Sequence, residues 1–275
     1  MSNPTATTTA RRTLRMTLRC TGDVWCERRS LYPHVALQLA DHHLHASGII
    51  PSPSSTEGGR LYEHDWACVS QSSRCFRVDG LLSRSLSRGV TSTTYVEKVG
   101  GSSLQLANSI CLDGEGHDGG GPDLLSTTRR VFCRLGLSGG PAPFHDEERE
   151  RLLGLGRPDA DPAVGDVSPL PELVRFGPSA ELLQEAAEAN ADPLLSVKVG
   201  PANVNFGNHG DHSFLASTAH HALSLGGVGR DGIAINYRAE TFLGDVLDCF
   251  VAGEGVVVVT RRVEGGHREV ACVAS

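Results

Sequence analysis

Asn203-Val-Asn205-Phe-Gly-Asn-His209-Gly-Asp211-His212-Ser-Phe214-Leu-Ala-Ser-Thr-Ala-His-His221 runs from a loop crowded with Asn, Gly, His and Asp into an amphipathic helix. Leu195 to Gly200, just ahead of it, reads as a short strand. The helix is expected from about Ser213 to Leu225, because Leu215, Ala219, Ala222 and Leu223 recur at i, i+4, i+7 and i+8 and share one face. Asp211 or His212 stands where an N-cap belongs, and Gly226-Gly227 supply the stop. A helix start carries N–H groups without intrahelical partners and partial positive charge, so it can polarise a carbonyl or hold developing negative charge. Capping needs one polar side chain; this loop has many, and we read it as a functional site.

Working outward, strands are expected at 232–239, 243–252, 255–263 and 267–274. The same order occurs earlier in the chain. Arg12 to Cys20 alternates as a strand through Leu14, Met16 and Leu18, and Thr21 to Ser30 is a charged loop. A helix begins at Leu31 with Pro33 in its first turn and ends at Gly48. Its apolar face is expected from Val35 with Leu39, and Ala36 with Ala40 and Leu44; His34, His42, His43 and His45 are expected to be exposed or at the core edge. After a Pro/Ser/Gly loop at 51–59 come strand-like runs at Trp66–Val78, Gly89–Val99, Ser102–Cys111 and Leu124–Leu135. Gly89 and Gly244 each open a strand, 155 residues apart (244 − 89), and that offset lays Tyr95 on Phe250 and Gly100 on Gly255. The chain therefore reads as two copies of one unit, the first with a longer loop between helix and sheet. Between them Pro141, Pro143, Pro169 and Pro171 interrupt a connector with helices at Asp146–Leu153 and Ser179–Asn190, expected to pack on the outside. The expected organisation is α+β, an antiparallel sheet curled around one helix in each copy, at 11–138 and 194–275 with a linker at 139–193.

Composition narrows the partners. The 275 residues carry a net charge of −7, which argues against nucleic acid as a general partner. With 39% hydrophobic residues and no long apolar run, no membrane association and a cytoplasmic location are expected. Residues 1–10 lack an apolar segment and read as a frayed tail. Arg11, Arg12, Arg15, Arg19, Arg28 and Arg29 cluster near the start, as a solvated face or as a patch for the phosphates of a nucleotide carrier. The eight cysteines form no CxxC pair and read as free thiols, with Cys26 alone near a candidate site. No cluster has metal-ligand spacing; His209, Asp211 and His212 are the only group to check.

Particular residues suggest a family. Gly22-Asp23-Val24-Trp25, six residues, then Tyr32-Pro33 resembles the Gly-Asp-x-Asp and Tyr-Pro helix start of hotdog-fold thioesterases of the 4-hydroxybenzoyl-CoA type. Asn203-Val-Asn205, three residues, then His209 is similar to the Asp-x-Asp…Gly-His-Val-Asn-Asn segment of the same superfamily. Ile233 to Phe250, with Tyr237, Gly244 and Asp245, looks like its inward strand, Tyr and Gly-Asp stretch. The resemblance covers residues 12–135 and 194–275 and implies a double hotdog that hydrolyses an acyl-CoA or acyl-carrier-protein thioester. It implies no cofactor beyond coenzyme A as part of the substrate, and a homodimer.

The sequence departs from that pattern at the second acidic position, which falls on Trp25 in the first copy and Asn205 in the second. Neither takes a proton from water or forms an anhydride. The chemistry expected is polarisation: N–H groups at the helix start hold the oxyanion, Asn205 orients water or the carbonyl, and His209, Asp211 or His212 assists. Asp23, Trp25, Tyr32 and Gly210 are the expected substrate contacts. Such acid-less double hotdogs resemble the type that cleaves diterpenoid CoA thioesters in platensimycin and platencin biosynthesis, so a role in secondary metabolism is expected. A hotdog hydratase or dehydratase is the rival, since His209-Gly-Asp211-His-Ser-Phe214 matches the end of its motif but Val204 replaces its acid. A non-catalytic acyl-thioester-binding module is the third reading.

Overall fold

A computed structural model describes residues 13–16, 26–27, 30–47, 49, 65–78, 81, 89–113, 123–136, 140–155, 170–189, 192–204, 209–228, 231–253, 255–263 and 267–275. The first copy comprises β1 (Thr13–Met16), β2 (Cys26–Glu27), β3 (Ser30–Leu31), α1 (Pro33–Ser47), β4 (Asp65–Cys75), β5 (Val90–Val99), β6 (Ser103–Leu112) and β7 (Asp123–Leu135). Two helices follow, α2 (Asp146–Leu153) and α3 (Ser179–Ala189). The second copy comprises β8 (Leu195–Lys198), α4 (His212–Leu225), β9 (Gly232–Tyr237), β10 (Val246–Val251), β11 (Val257–Arg262) and β12 (Arg268–Ala274).

The longer strands build one antiparallel sheet in the order β1-β5-β6-β7-β4-β9-β12-β11-β10-β8. That order is the same unit read inward from both edges: β1 corresponds to β8, β5 to β10, β6 to β11, β7 to β12 and β4 to β9. The copies meet at β4 and β9, where Gln71 pairs with Ile235 and Ser73 with Ile233. Gly232 ends this seam because a Cβ there would stand 2.6 Å from the Ser73 carbonyl oxygen.

Each helix lies on its own half of the sheet. α4 buries Leu215, Ala216, Ala219, Ala222 and Leu223 against Ile233, Ile235, Leu247, Cys249, Val257, Val259, Cys272 and Ala274, one continuous apolar cluster. Each fully buried Leu or Ile there contributes about 1.5–3 kcal/mol. Under α1 the apolar contacts divide into two clusters. Ala36 joins Cys75, Val90, Ile110 and Leu112, while Leu44 joins Cys68, Val96, Leu106 and Phe132. Leu37 crosses into the core of the second copy. On the face of the sheet turned away from α4, Leu182 and Ala186 of α3 pack on Phe250, Val258, Val270 and Val273, as expected of an outer connector; Leu152 of α2 instead joins the α1-side cluster of Leu44 and Phe132, so α2 does not pack on the outside.

Several expectations are corrected. α1 starts at Pro33, not Leu31, because Leu31 pairs with Cys26 in a small ladder. Val35 and Leu39 are only half-buried. His43 is not at the edge: it is fully buried, its Nδ1 2.7 Å from the Ser92 hydroxyl. The strand expected from 243 begins at Val246, because Phe242 to Asp245 form a turn in which Asp245 Oδ2 accepts from the Phe242 N–H at 2.8 Å. Among the described residues no helix is long and apolar enough to cross a membrane.

Candidate active site

The segment 209–212 is clipped to both of its neighbours. Gly210 N–H donates to the Thr241 carbonyl at 2.6 Å, and Asp211 N–H donates to the Asn203 carbonyl at 2.8 Å. Backbone bridges add Val204 to Gly210 and His209 to Phe242. A Cβ on Gly210 would fall 2.0 Å from Thr241 Oγ1, so the close approach of these two chains needs glycine. The result is a fixed platform at the amino end of α4.

Of the two N-cap candidates, Asp211 is the cap: its Oδ1 accepts from Ser213 N–H and from the Ser213 hydroxyl, both at 2.7 Å. That employment as a cap, about 1 kcal/mol of helix stability, accounts for an Asp at this position. His209 lies beside a carboxylate. Its Nδ1 lies 3.4 Å from Glu240 Oε2, its ring stands 5.1 Å from Phe242, and the side chains of His209 and Glu240 are 40% and 59% exposed. Water therefore reaches a histidine oriented by a carboxylate.

His212, the first helical residue, meets Tyr237 edge-on with ring centroids 4.8 Å apart. The Tyr237 hydroxyl donates to the His212 carbonyl at 3.2 Å and accepts from Gln71 Nε2 across the seam. Burial, with the nearby Cys68 thiol adding to it, holds the Tyr237 hydroxyl well above its ordinary pKa, so this group stays a neutral donor.

Tyr32 sits elsewhere, at the start of α1. Its ring stacks on His34 (5.7 Å, 12°) and tilts against His220 of α4 at 5.9 Å. His34 and His220 approach to 3.3 Å between their Nδ1 atoms. Burial first, and the neighbouring His220 second, lower His34 to about 4, and burial lowers His220 as well. α1 and α4 thus run in opposite directions, each helix start facing the far half of the other helix. The structure brings together His209, Gly210, Asp211 and His212 and leaves Tyr32 at the opposite end. Asn205, Asp23 and Trp25 lie outside the described residues.

The sequence reading missed Glu240 and Gln71. Glu240 follows β9, a helix and a strand away from His209, and no local spacing links them. Gln71 stands in a polar run, Ser70 to Ser73, that resembles an exposed strand face. Burial pushes the thiols of Cys68, Cys75 and Cys249 up to about 12 and that of the half-buried Cys111 to about 11, which disfavours the thiolate a nucleophile needs.

This architecture, two helices under a ten-stranded sheet with internal two-fold order, recurs in solved structures. The acyl-ACP thioesterase of Bacteroides thetaiotaomicron matches over 95% of both chains with a TM-score of 0.62 at 14% identity. The 12:0-ACP thioesterase of Umbellularia californica matches over 95% of both chains with a TM-score of 0.63 at 13% identity. The fold is a double hotdog. At such identities the likeness is one of fold. No family model matches this chain, and no curated protein does.

Proposed function

We propose that this double-hotdog protein hydrolyses acyl thioesters carried on coenzyme A or an acyl carrier protein, at the amino end of α4. The observation that carries the reading is the exposed His209–Glu240 pair, 3.4 Å apart, on the residue that leads into the helix start. In the tautomer that turns Nδ1–H toward Glu240 Oε2, 3.4 Å away, Nε2 is the basic nitrogen that takes a proton from water. The hydroxide adds to the thioester carbonyl, and N–H groups at the helix start hold the oxyanion. The C–S bond then breaks, and the thiolate leaves with the proton held by His209. A carboxylate thus takes part after all, one step removed from the water. The fold shared with two acyl-ACP thioesterases supports the substrate class, and the absence of an acid at position 205 supports a place in secondary metabolism.

The test is thiol release from a series of acyl-CoAs, read with a disulfide dye. His209→Ala is expected to lower kcat by about 100-fold or more, the range for loss of a general base. Glu240→Gln is expected to cost about ten-fold, mostly in kcat, because it misorients the imidazole without removing it. Asp211→Ala should keep most of kcat and lose about 1 kcal/mol of stability as a missing cap. Full activity in His209→Ala would end this reading.

A further inference from the structure

The proposed hydrolysis makes no use of the two imidazoles at the amino end of α1. His34 lies in the first turn of α1 and His220 on α4, so each copy supplies one, from positions 186 apart in the chain. Both are half-buried, within reach of water, and Tyr32 stacks on His34 and tilts against His220. Their Nδ1 atoms are 3.3 Å apart and their ring centroids 5.1 Å apart. In a linear N–H···N bond each ring centre would lie directly behind its nitrogen, and the centroids would stand further apart than this. The rings instead splay from a common point beside the two Nδ1 atoms. For a symmetric placement the lone pairs meet about 2.1 Å from each nitrogen, at an angle of about 100°. Those are the bond length and opening that two histidines take on a tetrahedral zinc ion.

We propose that His34 Nδ1 and His220 Nδ1 bind one divalent cation of the zinc class between the two copies. An imidazole with the ordinary pKa of about 6.5 is uncharged at pH 7.5, so each ring has a lone pair to give. Without metal, one Nδ1–H donates to the other Nδ1; with metal, both rings carry their proton on Nε2. Among the described residues no three or more His, Cys, Asp or Glu side chains gather into a metal-binding group. The protein therefore supplies two ligands, and water fills the remaining positions. Imidazole nitrogen suits zinc, copper and nickel, whereas magnesium takes oxygen ligands.

Because the ligands come from different helices, the ion ties α1 to α4 and stabilises the folded chain by mass action. The pair faces the start of α1, away from His209 to His212 at the start of α4. The inference is thus independent of the thioesterase reading, and its test reads metal rather than thiol.

The experiment is a calorimetric titration of ZnCl2 into the full chain, first freed of metal with EDTA, at pH 7.5. His34→Gln and His220→Gln should each weaken zinc binding by roughly ten-fold or more, since even an outer-shell partner of a metal site is worth about 10–100-fold. In zinc at about 100 times its Kd, Tm is expected to rise by roughly 5–10 °C in the wild type and by much less in either variant. Magnesium should leave Tm unchanged. Unchanged zinc affinity in either variant would assign the binding to other histidines and overturn the site, as would an equal shift with magnesium. Should a variant fail to fold, a zinc-soaked crystal of the wild type decides. Anomalous density about 2.0–2.1 Å from both Nδ1 atoms supports the site, and density found only elsewhere overturns it.

Discussion

Gly210 shows how closely the site is fitted, since its absent side chain lets two loops touch. Thr241 is 1% exposed and its Oγ1 would be 2.0 Å from any Cβ at 210, so the threonine has nowhere to turn. An ordinary Gly→Ala change stabilises by about 0.4–1 kcal/mol through the unfolded chain. Here overpacking wins, at about 1–3 kcal/mol. Gly210→Ala is therefore expected to lower the urea midpoint and to reduce thiol release together, because the displaced loop carries His209. Adding Thr241→Ala should restore both; a double variant as impaired as the single one would refute the collision. What could be read from the residues alone was the density of polar groups at 203–212 and the cap at Asp211, since capping is a local rule. The His209–Glu240 pair was beyond such reading, because it exists only once β9 has returned the chain to the helix start.

The helices communicate at their ends. His34 and His220 touch across the α1–α4 contact with Tyr32 stacked alongside, and His221 adds to the field at His220. His34 is lowered to about 4 in the folded protein, against an unfolded value of about 6.5. Between those values the unfolded chain binds more protons, so this contribution to stability is complete above about pH 6.5 and is lost as pH falls toward 4. The expected loss in Tm is on the order of a few degrees between about pH 7 and pH 4.5, after discounting for partial solvent access. Carboxylates titrate in the same range, so the informative quantity is the difference from His34→Gln, whose Tm should fall less steeply with acid. Parallel curves would show the pair to be neutral in energy. The elements themselves were legible: α2 was expected at its observed bounds, and α4 to within a residue, because caps and apolar periodicity are strong there. α1 was harder. Its polar buried side, His43 over Ser92 and Asn108, reverses the rule that places histidine at a surface.

At the scale of the molecule, the duplication was readable because one offset puts a glycine ahead of β5 and of β10 and another, Gly100 or Gly255, in the turn that follows each; the turns themselves differ in length, Gly100 N–H closing onto the Ser103 carbonyl and Ala252 N–H onto that of Val256. The seam was not readable, because β4 offers Ser70-Gln71-Ser72-Ser73, a sequence that says nothing of a buried partner. Yet Gln71 is 1% exposed, and its contact with Tyr237 ties the first copy to the second and to the His212 carbonyl. Tyr237→Phe keeps the ring against His212 and removes the hydroxyl alone. It leaves a buried amide without its acceptor and a carbonyl without that donor, at about 1–3 kcal/mol. For a chain of this size that corresponds to a fall in Tm of roughly 3–10 °C. Because β4 and β9 are joined by a backbone ladder as well, the copies are expected to melt as one unit, so calorimetry should show a single peak that moves down without splitting. Two separated peaks in the variant would mean that Tyr237, rather than the ladder, couples the halves. Two peaks in the wild type would mean that each copy is stable without the other, and the ladder between β4 and β9, with the Gln71–Tyr237 contact, would not couple their unfolding.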